Sequence, residues 1–476
     1  MTGATVDKEA LFATLPPVWP EPLLDKIRRR IEASQKRLII LDDDPTGAQT
    51  SHGVPVLTQW TEDLLAEEIE QSPAFFLLTN SRALDEASAV QCARDVGAAL
   101  RKAARKTGRE LLVASRSDST LRGHFPAELD ALADALAESA ASASRPSYLF
   151  VPYFAEGGRF TVNDTQYVLQ SDQLVPAGRT EFARDAAFAY RHSHLPSWIE
   201  EKTHGRVRVA DVLCLTLDDL RVGGPAAVTA KLIAAPDGGV VIANAADDRD
   251  LEVLVLGLMD AEAAGKRFLY RTAASFVRVR AGITLRPLLT SPEVQGEGST
   301  GGLVVVGSYI ERTSEQLARA LVATKLTPVE VSVDALLATR HEEEAEIARV
   351  SITASSLLAA GRDAAVFTSR SVRLGASAGE SLRIGQQVSR DLCAVVEGLT
   401  AAPRFLIAKG GNTASELATR ALGVQRAVVL GQLLPGVPVW ELGPESRFPG
   451  LRYVVFPGNV GEPDSLAEAV GAFTDR

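Results

Sequence analysis

From Arg37 onward the chain alternates between short, continuously apolar runs and Ala-rich stretches with helical spacing, and no other feature narrows its possible folds so far. "RLIILDDD", "AFFLLTN", "ELLVASRSD" and "SYLFVPYF" are bounded by polar or turn residues, while "EASAVQCARDVGAALRKAAR" and "PAELDALADALAESAA" carry apolar residues on one helical face. Strands that alternate with amphipathic helices imply βαβ units and a largely parallel sheet. "GGVVIANAA" and "RFLYRTAASF" continue the pattern. It breaks at 289–302, "LTSPEVQGEGSTGG", which has no periodicity and reads as a linker. It then restarts with "LVVVGSY", "TPVEVSV", "DAAVFTSR", "RFLIAKGGNT", "RAVVLGQ" and "LRYVVFPGN". The expectation is an α/β protein of two domains, each a mostly parallel sheet flanked by helices. Its parts are an N-terminal extension at 1–36, a first domain at 37–288, the linker and a second domain at 303–476.

A chain of 476 residues is too long for one hydrophobic core, which agrees with that division. A formal charge of −10 argues against a general nucleic-acid binder, although a few placed donors still suffice for a phosphorylated ligand. Cys92, Cys214 and Cys393 are scattered and odd in number, which fits a reducing cytosol and offers no metal framework. His192 and His194 form the only close histidine pair, read as a surface feature, so no metal site is expected. No basic, apolar leader opens the chain, and no apolar run approaches the roughly 20 residues that cross a bilayer. A cytoplasmic protein without membrane or nucleic-acid partners is expected.

The chemistry sits directly after the predicted strands, where open parallel sheets bind ligands. "DDDPTGA" sets Asp42, Asp43 and Asp44 side by side, and such a cluster is costly unless it is a solvated turn or meets a cation or a hydroxyl-rich ligand. "RSDSTLRG" offers Arg116, Asp118, Ser119, Thr120, Arg122 and Gly123. Here a guanidinium suited to clamping a carboxylate follows a carboxylate and two hydroxyls; a helix cap with an Asp118–Arg122 ion pair explains the same residues equally well. "PYFAEGGR" adds Gly158 and Arg159, in a ligand-approaching loop or a tight hairpin, and "TNSRAL" adds Arg82. Aspartates for hydroxyls and arginines for a carboxylate suit a small hydroxylated acid.

In the second half, "KGGNTASEL" places Gly410 and Gly411 before Asn412 or Thr413 as a helix cap, a phosphate cradle or an ordinary loop. Gly307–Ser308 and Gly458–Asn459 repeat that logic, and three such turns in one domain favour a nucleotide.

These motifs, in this order, resemble the two-domain four-carbon acid sugar kinases. The family's Asp-Asp-x-Thr-Gly-Ala, Lys-x-Asp-Ser-Thr-Leu-Arg-Gly and Gly-Arg loop segments match residues 43–48, 116–123 and 152–159. Its Gly-Ser, Gly-Gly-(Asp/Glu)-Thr, Pro-Gly-Val-Pro and Ser-Gly-Asn segments match Gly307–Ser308, 410–413, 435–438 and 457–459. Arg116 stands where lysine is usual, Asn412 where an acid is, Pro457 where a small residue is, and Asp42 is extra.

The resemblance implies an ATP-dependent kinase for a hydroxyl of threonate, erythronate or a 3-oxo-tetronate, with Mg²⁺. The acid is held on the first domain and ATP on the second, with the active site in the cleft between them, and a homo-oligomer is compatible with this. Asp118, Asp43 and Asp44 are the catalytic candidates, and the sequence does not separate the base among them. Arg82, Arg116, Ser119, Thr120, Arg122, Gly123, Gly158 and Arg159 are the acid-binding candidates. Ser308, Gly410, Gly411, Asn412, Thr413, Gly458 and Asn459 are the nucleotide candidates. Asn412 favours the alternative, a weak or inactive sensor of the same fold. A dinucleotide enzyme would need a GxGxxG fingerprint, and none occurs.

Overall fold

The structure is a computed structural model and describes residues 4–137, 145–296, 298–370, 373 and 378–474. The chain forms two compact units, Met1–Thr50 with Gln59–Leu285 and Ser51–Thr58 with Arg286–Arg476.

In the first unit a sheet runs in the order Val212–Leu215, Val240–Ala243, Ser147–Val151, Phe268–Thr272, Leu111–Arg116, Arg37–Asp42, Ala74–Leu78, and its adjacent strands are parallel. Strands covered on both faces need no polar alternation, and "AFFLL" is buried at every position. The crossing helices carry their own start and stop signals. Glu86–Thr107 begins at Asp85, whose carboxylate accepts from Ser88 N, and ends at Gly108 in the left-handed region. Its buried Ala89, Ala93, Val96, Leu100 and Ala103 follow the three-to-four spacing of one helical face.

Strand order decides where this unit can bind. The chain passes from Arg37–Asp42 to Ala74–Leu78 on one side, then returns to set Leu111–Arg116 on the other. The loops leaving Asp42 and Arg116 therefore part in opposite directions and open a crevice at the carboxyl ends of the strands.

The second unit repeats the device. Leu303–Val306 lies between Ala364–Thr368 and Phe405–Lys409, all parallel, so a second switch point lies where Val306 and Lys409 end. Thr327–Val331 flanks one side and Arg452–Phe456 the other. The predicted strand at "RAVVLGQ" does not open a βα unit but forms an antiparallel hairpin with a strand not foreseen, Arg426–Leu434 with Val437–Leu442, turning at Pro435–Gly436.

Three boundaries differ from the sequence expectation. Ser51–Thr58 falls inside the expected first domain yet belongs to the second unit, because Val54–Leu57 pairs antiparallel with Arg426–Leu434. The expected linker is packed and not free. Leu289 N donates to Gln432 O at 2.7 Å, Thr290 caps a short helix through Glu293, and Val294 is fully buried in the second unit's core. Glu297 of that segment lies outside the described residues. The expected extension, whose first three residues are also outside them, is part of the first unit. Val6–Asp7 adds an edge to a small antiparallel sheet with Gln173–Pro176, Thr165–Gln170 and Arg159–Val162, and Arg30 meets Asp260 at 2.5 Å. No helix among the described residues is long and apolar enough to cross a membrane.

Candidate active site

Register brings the first unit's polar loops to one level. Asp42 lies opposite Arg116 on one side and Leu78 on the other, while Thr272 is opposite Arg116. Backbone bonds then tie the loops together: Thr79 N and Asn80 N donate to Asp42 O, Arg82 N to Asp43 O and Ser117 N to Thr272 O.

The three aspartates are not a solvated turn. Asp42 and Asp43 are buried. Asp42 meets Arg116 Nε at 2.9 Å, and Asp43 lies 3.5 Å from Arg116 Nη1 and 3.9 Å from Arg82 Nη1. Asp44 meets Arg82 Nη2 at 2.5 Å and accepts from Thr46 N at 2.9 Å. Gly47 closes over this cluster, because a methyl there would lie 2.0 Å from Asp42 Oδ1 and 2.1 Å from Arg116. Arg116 is thereby an internal strut, itself buried.

Burial and partners split the carboxylates. Burial pushes Asp42 up to about 7 against the pull of Arg116. Burial also raises Asp43, opposed by Arg82 and Arg116. Asp44 is held below the usual carboxylate range, since Arg82, Arg116 and the Thr46 hydrogen bonds outweigh its burial. Asp118 is held well below that range for the same reason, by Arg82 at 3.5 Å and Arg122 at 2.8 Å.

The segment 117–123 is a clamped turn and not a helix cap, because the next helix begins only at Ala127. The expected Asp118–Arg122 ion pair is present, and the Thr120 hydroxyl donates to the same carboxylate. Gln166 Nε2 holds Ser119 O at 2.9 Å, and the Tyr190 hydroxyl holds Thr120 O at 2.6 Å. Leu121 has φ +72° and Gly123 φ +122°, so the turn is set by backbone conformations that few residues adopt. Arg122 also reaches Asp185 at 3.5 Å and stacks over Phe182.

Gly158 and Arg159 stand in a tight hairpin, in which Phe154 and Arg159 exchange both backbone hydrogen bonds. Gly158 serves that turn, with φ +70° and a would-be methyl 2.9 Å from Leu169 Cβ. The Arg159 guanidinium lies over Phe182, its Nε is buried without a hydrogen-bond partner, and no carboxylate comes within 4.0 Å among the described residues.

Two groups here escaped sequence reasoning. Arg271, next to last in the Phe268–Thr272 strand, is buried and donates to Arg122 O at 3.2 Å. Glu128, on the helix after the turn, accepts from Ser81 Oγ at 2.6 Å and is pushed up to about 7 by burial. The available signal for Arg271 was a charged residue inside an otherwise apolar strand.

In the second unit the three glycine turns converge. A methyl at Gly307 would lie 2.3 Å from Thr413 Oγ1, one at Gly410 3.1 Å from that atom, and one at Gly458 3.0 Å from Ser308 Oγ. Thr313 Oγ1 lies 3.2 Å from Ser308 Oγ and donates to Gly458 O at 2.9 Å. Gly410, and not Asn412 or Thr413, is the N-cap of Gly411–Glu416, and no side chain caps that end. Asn412 and Asn459 are exposed, so both point away from the packed part of the turn. Lys409, fully buried behind the turn, donates to Pro457 O at 2.6 Å and lies over Phe456; burial lowers it to about 7. Arg370 Nη1 holds Ser308 O at 2.7 Å. Of the histidine pair, His194 bonds Ser197 and His192 faces Glu201. Among the described residues no group of three His, Cys, Asp or Glu side chains could hold a metal ion.

Fold and site thus define a two-domain α/β protein with a guanidinium–carboxylate crevice in one unit and a convergent glycine-lined turn in the other. Residues 38–280 match the sugar-binding N-terminal domain family and residues 303–466 the nucleotide-binding C-terminal domain family. The chain belongs to the family that joins these two domains, the architecture of the four-carbon acid sugar kinases. A Salmonella typhimurium LT2 protein described as a presumed tRNA synthase shares the fold at 17% identity and a TM-score of 0.66, covering 92% of this chain and 98% of that one. A Haemophilus influenzae protein does so at 17% identity and a TM-score of 0.61, covering 91% and 100%. No curated protein matches the chain.

Proposed function

We propose that the protein transfers the γ-phosphoryl group of ATP to a hydroxyl of a four-carbon sugar acid. One observation carries this reading: each domain opens its sheet's switch point onto a different chemistry, carboxylates with guanidiniums on one and a convergent glycine turn bearing the Ser308 and Thr413 hydroxyls on the other. The first suits a hydroxylated anion and the second a polyphosphate.

The acid's hydroxyls are accepted by Asp43 and Asp118. Asp43 is our choice of base, because burial raises its proton affinity, while Asp118 is held ionised by two arginines and is suited to orienting. The attacking hydroxyl oxygen bonds to the γ-phosphorus, the bond to the β-bridging oxygen breaks, ADP leaves and the hydroxyl proton passes to Asp43. Ser308 and Thr413 would offer hydroxyl oxygens of the kind Mg²⁺ takes, and a bound ion would supply charge neutralisation. The catalytically weak sensor stays as a second reading on one observation, the neutral, exposed Asn412 in the glycine turn.

Calorimetric titration tests the division of labour. Asp118→Ala should abolish binding of the acid and leave a non-hydrolysable ATP analogue bound; Gly307→Val should do the reverse. Loss of both ligands in either variant would contradict it.

A further inference from the structure

We infer that Arg271 binds the substrate's carboxylate, facing Asp43 across a gap that Gly123 keeps open; the inference rests on the sugar-acid reading above. Arg82, Arg116 and Arg122 each already meet carboxylates of the chain within 4.0 Å. Among the described residues Arg271 and Arg159 meet none. Of the two, Arg271 is the more deeply placed, only 6% exposed, with its guanidinium 5.5 Å from the Phe125 and Trp198 ring centres. A guanidinium buried against rings without an anion is costly, and a ligand carboxylate removes that cost. Burial lowers its proton affinity, with Asp43 and Glu128 opposing from beyond ion-pair distance.

The position of Gly123 gives the gap a size. A methyl at residue 123 would lie 3.3 Å from Arg271 Nη2 and 3.8 Å from Asp43 Oδ2, so cation and carboxylate face each other over the room of one missing side chain. A hydroxy acid fits there with its carboxylate on Arg271 and a hydroxyl on Asp43. Arg271 thus fixes which end of the acid goes deep, and so which hydroxyls remain outward. Arg159, on its hairpin over Phe182, is left for a group farther along the ligand.

The test compares the acid that binds best with its carboxamide, which keeps every hydroxyl and loses the charge. Binding of each is measured by calorimetric titration, without ATP, in wild type, Arg271→Met, Arg271→Lys and Arg159→Met. Wild type should prefer the acid on the order of 100-fold, the effect of one buried charge-assisted pair. Arg271→Met should bind both alike, Arg271→Lys should lose roughly tenfold of the preference, and Arg159→Met should keep it. If Arg271→Met fails to fold, Arg271→Lys alone decides. A preference unchanged in Arg271→Lys, or lost in Arg159→Met, overturns the assignment of Arg271 and leaves the sugar-acid reading standing. Failure of every four-carbon acid to bind wild type overturns that reading, and this inference with it.

Discussion

Replacing Arg82 by Met removes the one cation that Asp43, Asp44 and Asp118 share. Arg82 is 18% exposed, and the three carboxylates are 6%, 23% and 12% exposed, so solvent screens them poorly. Breaking a buried ion pair by deleting one partner costs about 3–5 kcal/mol, and here three like charges are left behind. The first unit should lose that amount at pH 7.5. The sign of the pH dependence follows from the shifts. Asp44 and Asp118 sit below their ordinary values in the folded protein, so their stabilisation is present above the unfolded value near 4 and is lost only on further acidification. Wild type should therefore keep this contribution unchanged between pH 8 and 5. In Arg82→Met the same carboxylates are raised, so the folded state takes up protons as pH falls and the deficit shrinks towards pH 5. Amide hydrogen exchange over 37–42 and 111–116 reads this unit alone, with 303–306 as an internal control that should not move. A deficit below about 1 kcal/mol, or one independent of pH, would refute the electrostatic account.

Other perturbations probe separate parts. Glu128→Gln should make the fall of stability between about pH 4.5 and 7 less steep, with Asp42 still titrating in that window, because a carboxyl raised to about 7 contributes fully below its unfolded value near 4.5 and loses that gain as pH rises to about 7; urea unfolding across pH checks it. Gly47→Ala must push apart the Asp42–Arg116 pair and should cost at least about 2 kcal/mol by the same assay. Lys409→Met should release the 457–460 loop and weaken ATP-analogue binding roughly tenfold, while acid affinity stays at the wild-type value.

Much of this was legible in the residues. "DDDPTGA" and "RSDSTLRG" mark charged clusters that a ligand site explains as well as a solvated turn or a helix cap does, and apolar runs followed by polar turns give the βα rhythm. Register and strand order were not legible. Nothing in "RLIILD" says that its neighbours run off to opposite sides, yet that divergence makes the crevice. "VPVL" at 54–57 was hidden because its pairing partner, Arg426–Leu434, comes far later in the chain. The segment 289–302 looked like a linker because its anchors, the buried Leu289 and Val294 and backbone bonds at Leu289, Gly301 and Gly302, are too scattered for any periodicity. Arg271 was passed over because a strand pattern with one charge still reads as a strand; what sets it apart from Arg82, Arg116 and Arg122 is that no carboxylate among the described residues lies within 4.0 Å of it. The helix cap expected in 410–413 moved to Gly410, whose φ of +119° no sequence pattern states.

The central claim is phosphoryl transfer to a four-carbon acid. The most direct measurement is ADP release from ATP·Mg²⁺ against D- and L-threonate, D-erythronate and the 3-oxo-tetronates, with the product examined for a phosphate monoester. The account predicts turnover of one of these acids, a monoester formed in step with ADP, and loss of both in Asp43→Asn. No turnover of any acid by a protein that binds both ATP and an acid would contradict it and leave the sensor reading in its place.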